Sequence, residues 1–215
     1  MNILDIYFRY RIPSQLQQHQ LRVAGVAKLI CNSIISFGES REVIIACLLH
    51  DMGNIIRFKL EAFPEFLEPE GLMYWQRVKD EFIQRYGNDE HTTTYEIAKE
   101  LKVDDRIFEL IHGVGITKAI ETSKKDDVAN KIVVYCDQRV SPTGVVPLLE
   151  RVMEGYERKK LDKRMLQNDE AKFKETVDAL KKIEEDIFSK SSLEPDNIND
   201  EDVNKVIPGL KTFEI

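Results

Sequence analysis

His50 and Asp51 stand side by side at the end of an apolar run, Ala46-Cys47-Leu48-Leu49. Gly53 follows, and only then does the chain turn polar. An imidazole and a carboxylate at the inner end of a hydrophobic helix are costly to bury unless something binds them. A metal ion is the simplest such partner, and its other ligands must then come from the apolar faces of other helices. A search for inward-facing polar groups on helical patterns returns His19, His50, Asp51, His91, His112 and Asp137. The chain has four histidines, and all four fall in this set. Any one of them alone reads as a satisfied core residue. Together they would each need a hydrogen-bond partner in a core that offers few. One or two cations satisfy them at once, and mixed imidazole and carboxylate donors suit Mn, Fe, Ni, Co or Zn better than Ca.

The elements that must position these groups are helices. Residues 1–13 read as a short amphipathic lead-in that stops at Pro13, with Ser14 as the N-cap of the next helix. That helix is expected to run to about Ser36, with Leu16, His19, Val23, Val26 and Ile30 on one stripe. Gly38 ends it, and a helix over 41–51 aligns Val43, Ala46, Cys47 and His50. Residues 54–72 mix Phe58, Phe63, Phe66, Pro64 and Pro69 with acidic residues and read as an irregular excursion. Phe58, Phe63, Phe66, Tyr74 and Trp75 either anchor that excursion to the core or form a wall for a flat ligand. Helices are expected over Leu72–Tyr86, His91–Leu101, Asp104–Gly113 and Asp127–Val140, with 114–126 a loop or mixed segment and Ser141–Gly144 a turn. In the third of these stripes His91, Thr94, Ala98 and Leu101 align, so His91 is expected to face inward. Strand signals are few, since VGIT and KIVVYC fit helix or loop as well. From Val145 to about Lys190 the chain is charged, with a thin apolar stripe, and reads as one or two outer helices. Residues 191–202 read as a linker or capped turn, and 203–215 as a tail that docks on the rest. The fold class is all-α, with a metal-binding helical unit over 1–145 and a helical extension over 146–215 packed on it.

The bulk numbers agree. The chain has 215 residues, 42% hydrophobic and 32% charged, which suits one domain with a full core and leaves room for a small appendage. A net charge of -7 gives no support to general nucleic-acid binding or to an anionic membrane surface. No apolar run approaches the roughly 20 residues needed to cross a bilayer. The start lacks the basic-then-apolar order of a signal peptide. Cys31, Cys47 and Cys136 form no CxxC pair and read as reduced core thiols in a cytoplasmic protein.

The order H…HD…H…H…D resembles the HD-domain superfamily of metal-dependent phosphohydrolases. The carrying pieces are His19-Gln20-Leu21-Arg22-Val23-Ala24, Leu48-Leu49-His50-Asp51-Met52-Gly53, His91-Thr92-Thr93-Thr94-Tyr95-Glu96-Ile97-Ala98, Ile111-His112-Gly113 and Tyr135-Cys136-Asp137-Gln138-Arg139. They span roughly residues 14–140. Within the superfamily the chain looks most like the small nucleotide-hydrolysing members with two extra histidines before the last Asp. The resemblance implies an HD-domain helical bundle with additional C-terminal helices and one or two divalent ions (Mn, Fe, Ni, Co, Zn or Mg). It implies that His19, His50, Asp51 and Asp137 hold a first ion. It gives a second ion to His91 and His112, with Asp51 bridging. The implied reaction is cleavage of a phosphate ester or anhydride, of a nucleotide above all, by a metal-activated hydroxide; Asp51, together with Arg22 as read from its place near His19, is a candidate catalytic residue.

One departure stands out. Many members continue the doublet as HDxGK, where Lys meets the substrate phosphate; here the position is Asn54. Asn can donate a hydrogen bond but carries no charge. Arg22, three residues after His19, is the best substitute cation, and Asn54 and Arg139 complete the candidate substrate contacts. Arg57 and Lys59 read better as solvated surface charges. Two other functions stay open: a di-iron oxygenase, a chemistry also found on HD-type scaffolds, and a non-catalytic sensor that binds metal and nucleotide. A homodimer stays open as well.

Overall fold

The computed structural model describes residues 1–62, 67–161 and 169–215, so Phe63, Pro64 and Phe66 of the aromatic excursion lie outside the described residues. Among the described residues the chain is all-α apart from one hairpin of two-residue strands. The helices are α1 (Ile3–Arg9), α2 (Ser14–Ser33), α3 (Ser40–Leu49), α4 (Leu72–Tyr86), α5 (Glu90–Leu101), α6 (Asp105–Gly113), α7 (Ala119–Thr122), α8 (Val128–Asp137), α9 (Leu148–Leu161), α10 (Asp169–Phe188) and α11 (Asp200–Lys211). Single 3₁₀ turns lie at Asn54–Arg57, Leu60–Ala62, Ile116–Lys118 and Pro195–Asn197. Strands β1 (Val140–Ser141) and β2 (Gly144–Val145) pair antiparallel around the expected turn. Among the described residues, no helix is long and apolar enough to cross a membrane.

Helices α2, α3 and α8 make the centre, each touching the other two, and α6 packs on α3 and α8. Seven consecutive residues of α3, Val43 to Leu49, are buried, as are Ala129 and Lys131–Cys136 of α8. Helices apolar on nearly all sides can only be stable with neighbours all round. Those neighbours come from both ends of the chain. Tyr7 of α1 is buried and donates its hydroxyl proton to the Leu48 carbonyl at 2.7 Å, tying α1 to the last turn of α3. On the far side α10 covers α8. Helix α11 lies against α2, where a Cβ at Gly25 would stand 2.7 Å from Val203 Cγ1, so only glycine permits that approach. The tail after α11 docks as its apolar residues suggest: Ile3 N–H donates to the Phe213 carbonyl at 3.0 Å, and the N-terminal amine pairs with Glu214 at 2.9 Å. The three cysteines are free and buried.

Several element ends differ from expectation, each for a local reason. Ser14 is the first residue of α2 rather than its cap; Pro13 takes the cap position in an extended conformation, and no side chain caps the end. Helix α2 stops at Ser33 because Ile34 leaves to bridge Ser191 and Ser33 Oγ bonds Ser191 Oγ at 2.6 Å. Helix α3 ends at Leu49, which puts His50 at its C-cap and Asp51 in the turn beyond. Asp89, Asp104 and Asp127 cap α5, α6 and α8, each accepting from a backbone N–H three residues on.

Candidate metal centre

Four of the six sequence candidates converge. His19 comes from the second turn of α2, His50 and Asp51 from the end of α3, and Asp137 from the last residue of α8. His19 Nε2 lies 3.4 Å from Asp137 Oδ1 and 3.7 Å from Asp51 Oδ2. His50 Nε2 lies 3.5 Å from Asp51 Oδ2 and 3.6 Å from Asp137 Oδ1. Ligand atoms each about 2.1 Å from one ion stand about 3.0–3.4 Å apart, so this spacing is close to that of a shared cation. The His50 side chain is 2% exposed, and the other three are between 17% and 22%. His50 therefore forms the floor of a site that opens on one side.

The decisive atom is His50 Nε2. Its ring partner Nδ1 lies 2.8 Å from the Cys47 carbonyl, which can only accept, so Nδ1 carries a proton. Nε2 is left facing two carboxylates, buried and without a hydrogen-bond partner among the described residues. A lone pair aimed at two anionic oxygens is repelled unless a cation or a proton stands between them. Burial by itself would lower the His50 pKa; the charges of Asp51 and then Asp137 outweigh it and push it up to about 10. Burial likewise acts to raise Asp137, but the imidazoles of His19 and His50 overcome it and hold that carboxyl well below the usual range. The pocket thus draws in positive charge from whatever source is present.

Two glutamines hold the candidate ligands in place. Gln20, fully buried beside His19, accepts the Asp51 N–H on Oε1 at 3.3 Å. Gln138 donates from Nε2 to Asp137 Oδ2 at 2.7 Å, which leaves Oδ1 to face the histidines. Sequence reasoning missed both. Their signal is an amide directly after a candidate ligand, in a position to make the hydrogen bonds that fix a ligand's orientation.

Gly53 fixes the loop that carries the doublet. A Cβ there would collide with the Glu90 carbonyl oxygen and stand 2.8 Å from Thr93 Cβ. The Gly53 N–H donates to Thr94 Oγ1 at 2.9 Å, so the doublet loop rests directly on the first turn of α5.

His91 and His112 are not drawn into this group. Among the described residues, His19, His50 and Asp51 form a group of candidate ligands whose atoms all lie within 4.8 Å of one another, and neither His91 nor His112 belongs to it. The expectation that His91 faces inward is corrected: its side chain is 62% exposed, with Glu90 Oε1 at 3.6 Å. Thr94 and Ala98 on the same stripe are buried, but His91 sits in the exposed first turn. His112 bonds through Nδ1 to the Phe108 carbonyl at 2.9 Å and stacks on Tyr95, ring centres 3.5 Å apart. The His91 ring also lies near Tyr95, ring centres 6.5 Å apart.

The candidate substrate contacts divide. Arg22 is half-buried, one turn along α2 from His19, and makes no side-chain hydrogen bond or ion pair among the described residues. Asn54 opens the 3₁₀ turn after the doublet, its N–H donating to the Asp51 carbonyl at 3.0 Å. Arg139 is corrected: it is 3% exposed and points into the protein. Its guanidinium donates to the carbonyls of Val146, Pro195 and Ile198 and to the Tyr135 hydroxyl. It holds the C-terminal segment and has no donor left for a ligand. Arg57 pairs with Glu90 at 3.0 Å. Trp75 is buried and donates Nε1–H to the Leu67 carbonyl at 3.2 Å, an anchoring role for the excursion.

A model of the HD domain matches residues 16–138, more than half of the chain and every one of the six candidate ligands. No curated protein and no solved structure matches. The matched span opens before His19 and closes just after Asp137, the two outer members of the converging quartet, and the chain belongs to the HD-domain family.

Proposed function

We propose that this protein is a metal-dependent phosphohydrolase with a single divalent ion held by His19, His50, Asp51 and Asp137. The observation that carries the reading is the orphaned His50 Nε2, buried between two carboxylates with its tautomer fixed by Cys47. Two neutral imidazoles and two carboxylates are a donor set for Mn, Fe, Co, Ni or Zn. An ion there would polarise a phosphoryl oxygen and lower the pKa of a water. The chain's own residues supply the rest. Gln20 and Gln138 hold the ligands in position, the buried His50 floor excludes water from one side, and the partly exposed His19, Asp51 and Asp137 leave the other open to substrate. Arg22, half-buried and without a partner among the described residues, is the cation we assign to the substrate phosphate; Asn54 adds an uncharged donor. A phosphate ester or anhydride of a nucleotide is the substrate class. The placement of His91 and His112 gives no support to a two-ion centre, and with it none to a di-iron oxygenase.

A panel of nucleotides and phosphate esters, assayed with each divalent ion, tests the reading. Turnover should require one of these ions and should vanish in Asp51→Ala together with bound metal. Arg22→Ala should raise KM or lower kcat about tenfold or more, as loss of a charged hydrogen bond does. Full turnover by metal-free Asp51→Ala would end the hydrolase reading. Metal and nucleotide binding without turnover of any substrate would instead favour a sensor.

A further inference from the structure

A cleft of about 300 Å³ lies where the loop before α8 meets the C-terminal half of α10. Lys124, Lys125 and Lys131 line it from one side, and Lys182 and Lys190 from the other. Against these five ammonium groups stand two lining carboxylates, Asp126 and Asp186. Including Glu121, which pairs with Lys125 at 2.6 Å, the group is still cationic by two charges. The whole chain carries -7, so this is an island of opposite sign.

The charges are built in rather than scattered. Lys131 is 7% exposed, and its ammonium sits 2.7 Å from Asp186 Oδ2, which also takes Lys182 at 2.9 Å. One carboxylate shared by two ammonium groups fixes both while leaving their combined charge in excess. Lys190 is only loosely matched, 4.0 Å from the 98% exposed Asp126, and Lys124 has no ion-pair partner among the described residues. The side chains of Ser123 and Ser189 donate to their own helices, to the Ile120 and Asp186 carbonyls, so their oxygens keep lone pairs for a donor on a ligand. Val128, the first residue of the ten-residue α8, is also in the lining, so the positive end of that helix borders the cleft.

We propose that this cleft binds a small phosphorylated ligand through a compact diphosphate-like group, at a site separate from the metal quartet. Five point-charge donors around a small volume suit tetrahedral oxyanions, where Lys acts by charge rather than by planar recognition. The size of the cleft and the acidity of the rest of the surface argue against a nucleic-acid strand. Asp137 is the last residue of α8 and the cleft is at its first, a separation of about 14 Å along the helix. One rigid, buried helix therefore borders both places.

The test is calorimetric titration of the full-length protein with inorganic pyrophosphate, with sulfate at equal ionic strength as the comparison. Three proteins are compared: wild type, Asp51→Ala, and Lys124→Glu with Lys190→Glu. Both lysines are exposed, and circular dichroism checks that the double variant keeps its fold. Pyrophosphate should bind wild type and Asp51→Ala alike, more tightly than sulfate, and the double variant should bind about tenfold more weakly or worse. Absence of binding by wild type, equal affinity for sulfate, an unaffected double variant, or loss of binding in Asp51→Ala would each overturn the proposal. The last of these would place the pyrophosphate on the quartet.

Discussion

The properties of the centre come down to one nitrogen. With Nδ1 committed to the Cys47 carbonyl, His50 can meet two carboxylates only as an imidazolium or as a ligand. Without metal, its pKa is raised to about 10 from an unfolded value of about 6.5, so its stabilising contribution is complete below pH ~6.5 and is lost as pH rises toward 10. Asp137 has the opposite sign: its pKa is depressed, so its contribution holds above pH ~4 and is lost on acidification. The chelated protein should therefore lose its stability advantage over His50→Gln as pH rises from 6.5 to 10, with thermal denaturation as the readout. A difference that stays constant across that range would show that His50 does not carry the proton. The same residues show what a sequence can and cannot disclose. His19, His50 and Asp137 are legible because each interrupts an apolar stripe on a helix long enough to set its phase. His91 obeys the same spacing and is still exposed, because phase says nothing about where a helix extends past its neighbours.

At the scale of the element, the doublet works because α3 stops where it does. Helical phase places His50, but the chain must turn at once to bring Asp51 beside it, and the turn is pressed against α5 at Gly53. The φ of Gly53 is -91°, which any residue tolerates; the constraint is space alone. Gly53→Ala should push the doublet loop away from the first turn of α5, cost about 1–3 kcal/mol as overpacking does, and weaken metal binding. Chemical denaturation with metal titration checks both; an unchanged midpoint and affinity would mean that α5 yields freely. Gly53 was legible as part of the motif, but its reason was not, since the collision is with residues some forty positions later. Aspartates that cap α5, α6 and α8 were visible as types. The end of α2 was not, because it is set by Ser191, 158 positions further along the chain.

Across the whole molecule, the residues that hold the ligands and those that hold the bundle come from different parts of the chain. The candidate ligands lie within the span of the HD-domain match, whereas α8 is covered by α10 and α2 by α11. Arg139 joins the two, two residues after the candidate ligand Asp137 and bonded to carbonyls 56 and 59 positions further on. A cation beside a metal-binding motif looks like a substrate contact in sequence; only the return of the C-terminal segment reveals it as a clamp. The most direct test of the account is the metal content per chain, by elemental analysis, of wild type, His50→Ala, and His91→Ala combined with His112→Ala. One ion in wild type, none in His50→Ala and one in the double variant is the predicted result. Two ions in wild type falling to one in the double variant would contradict it.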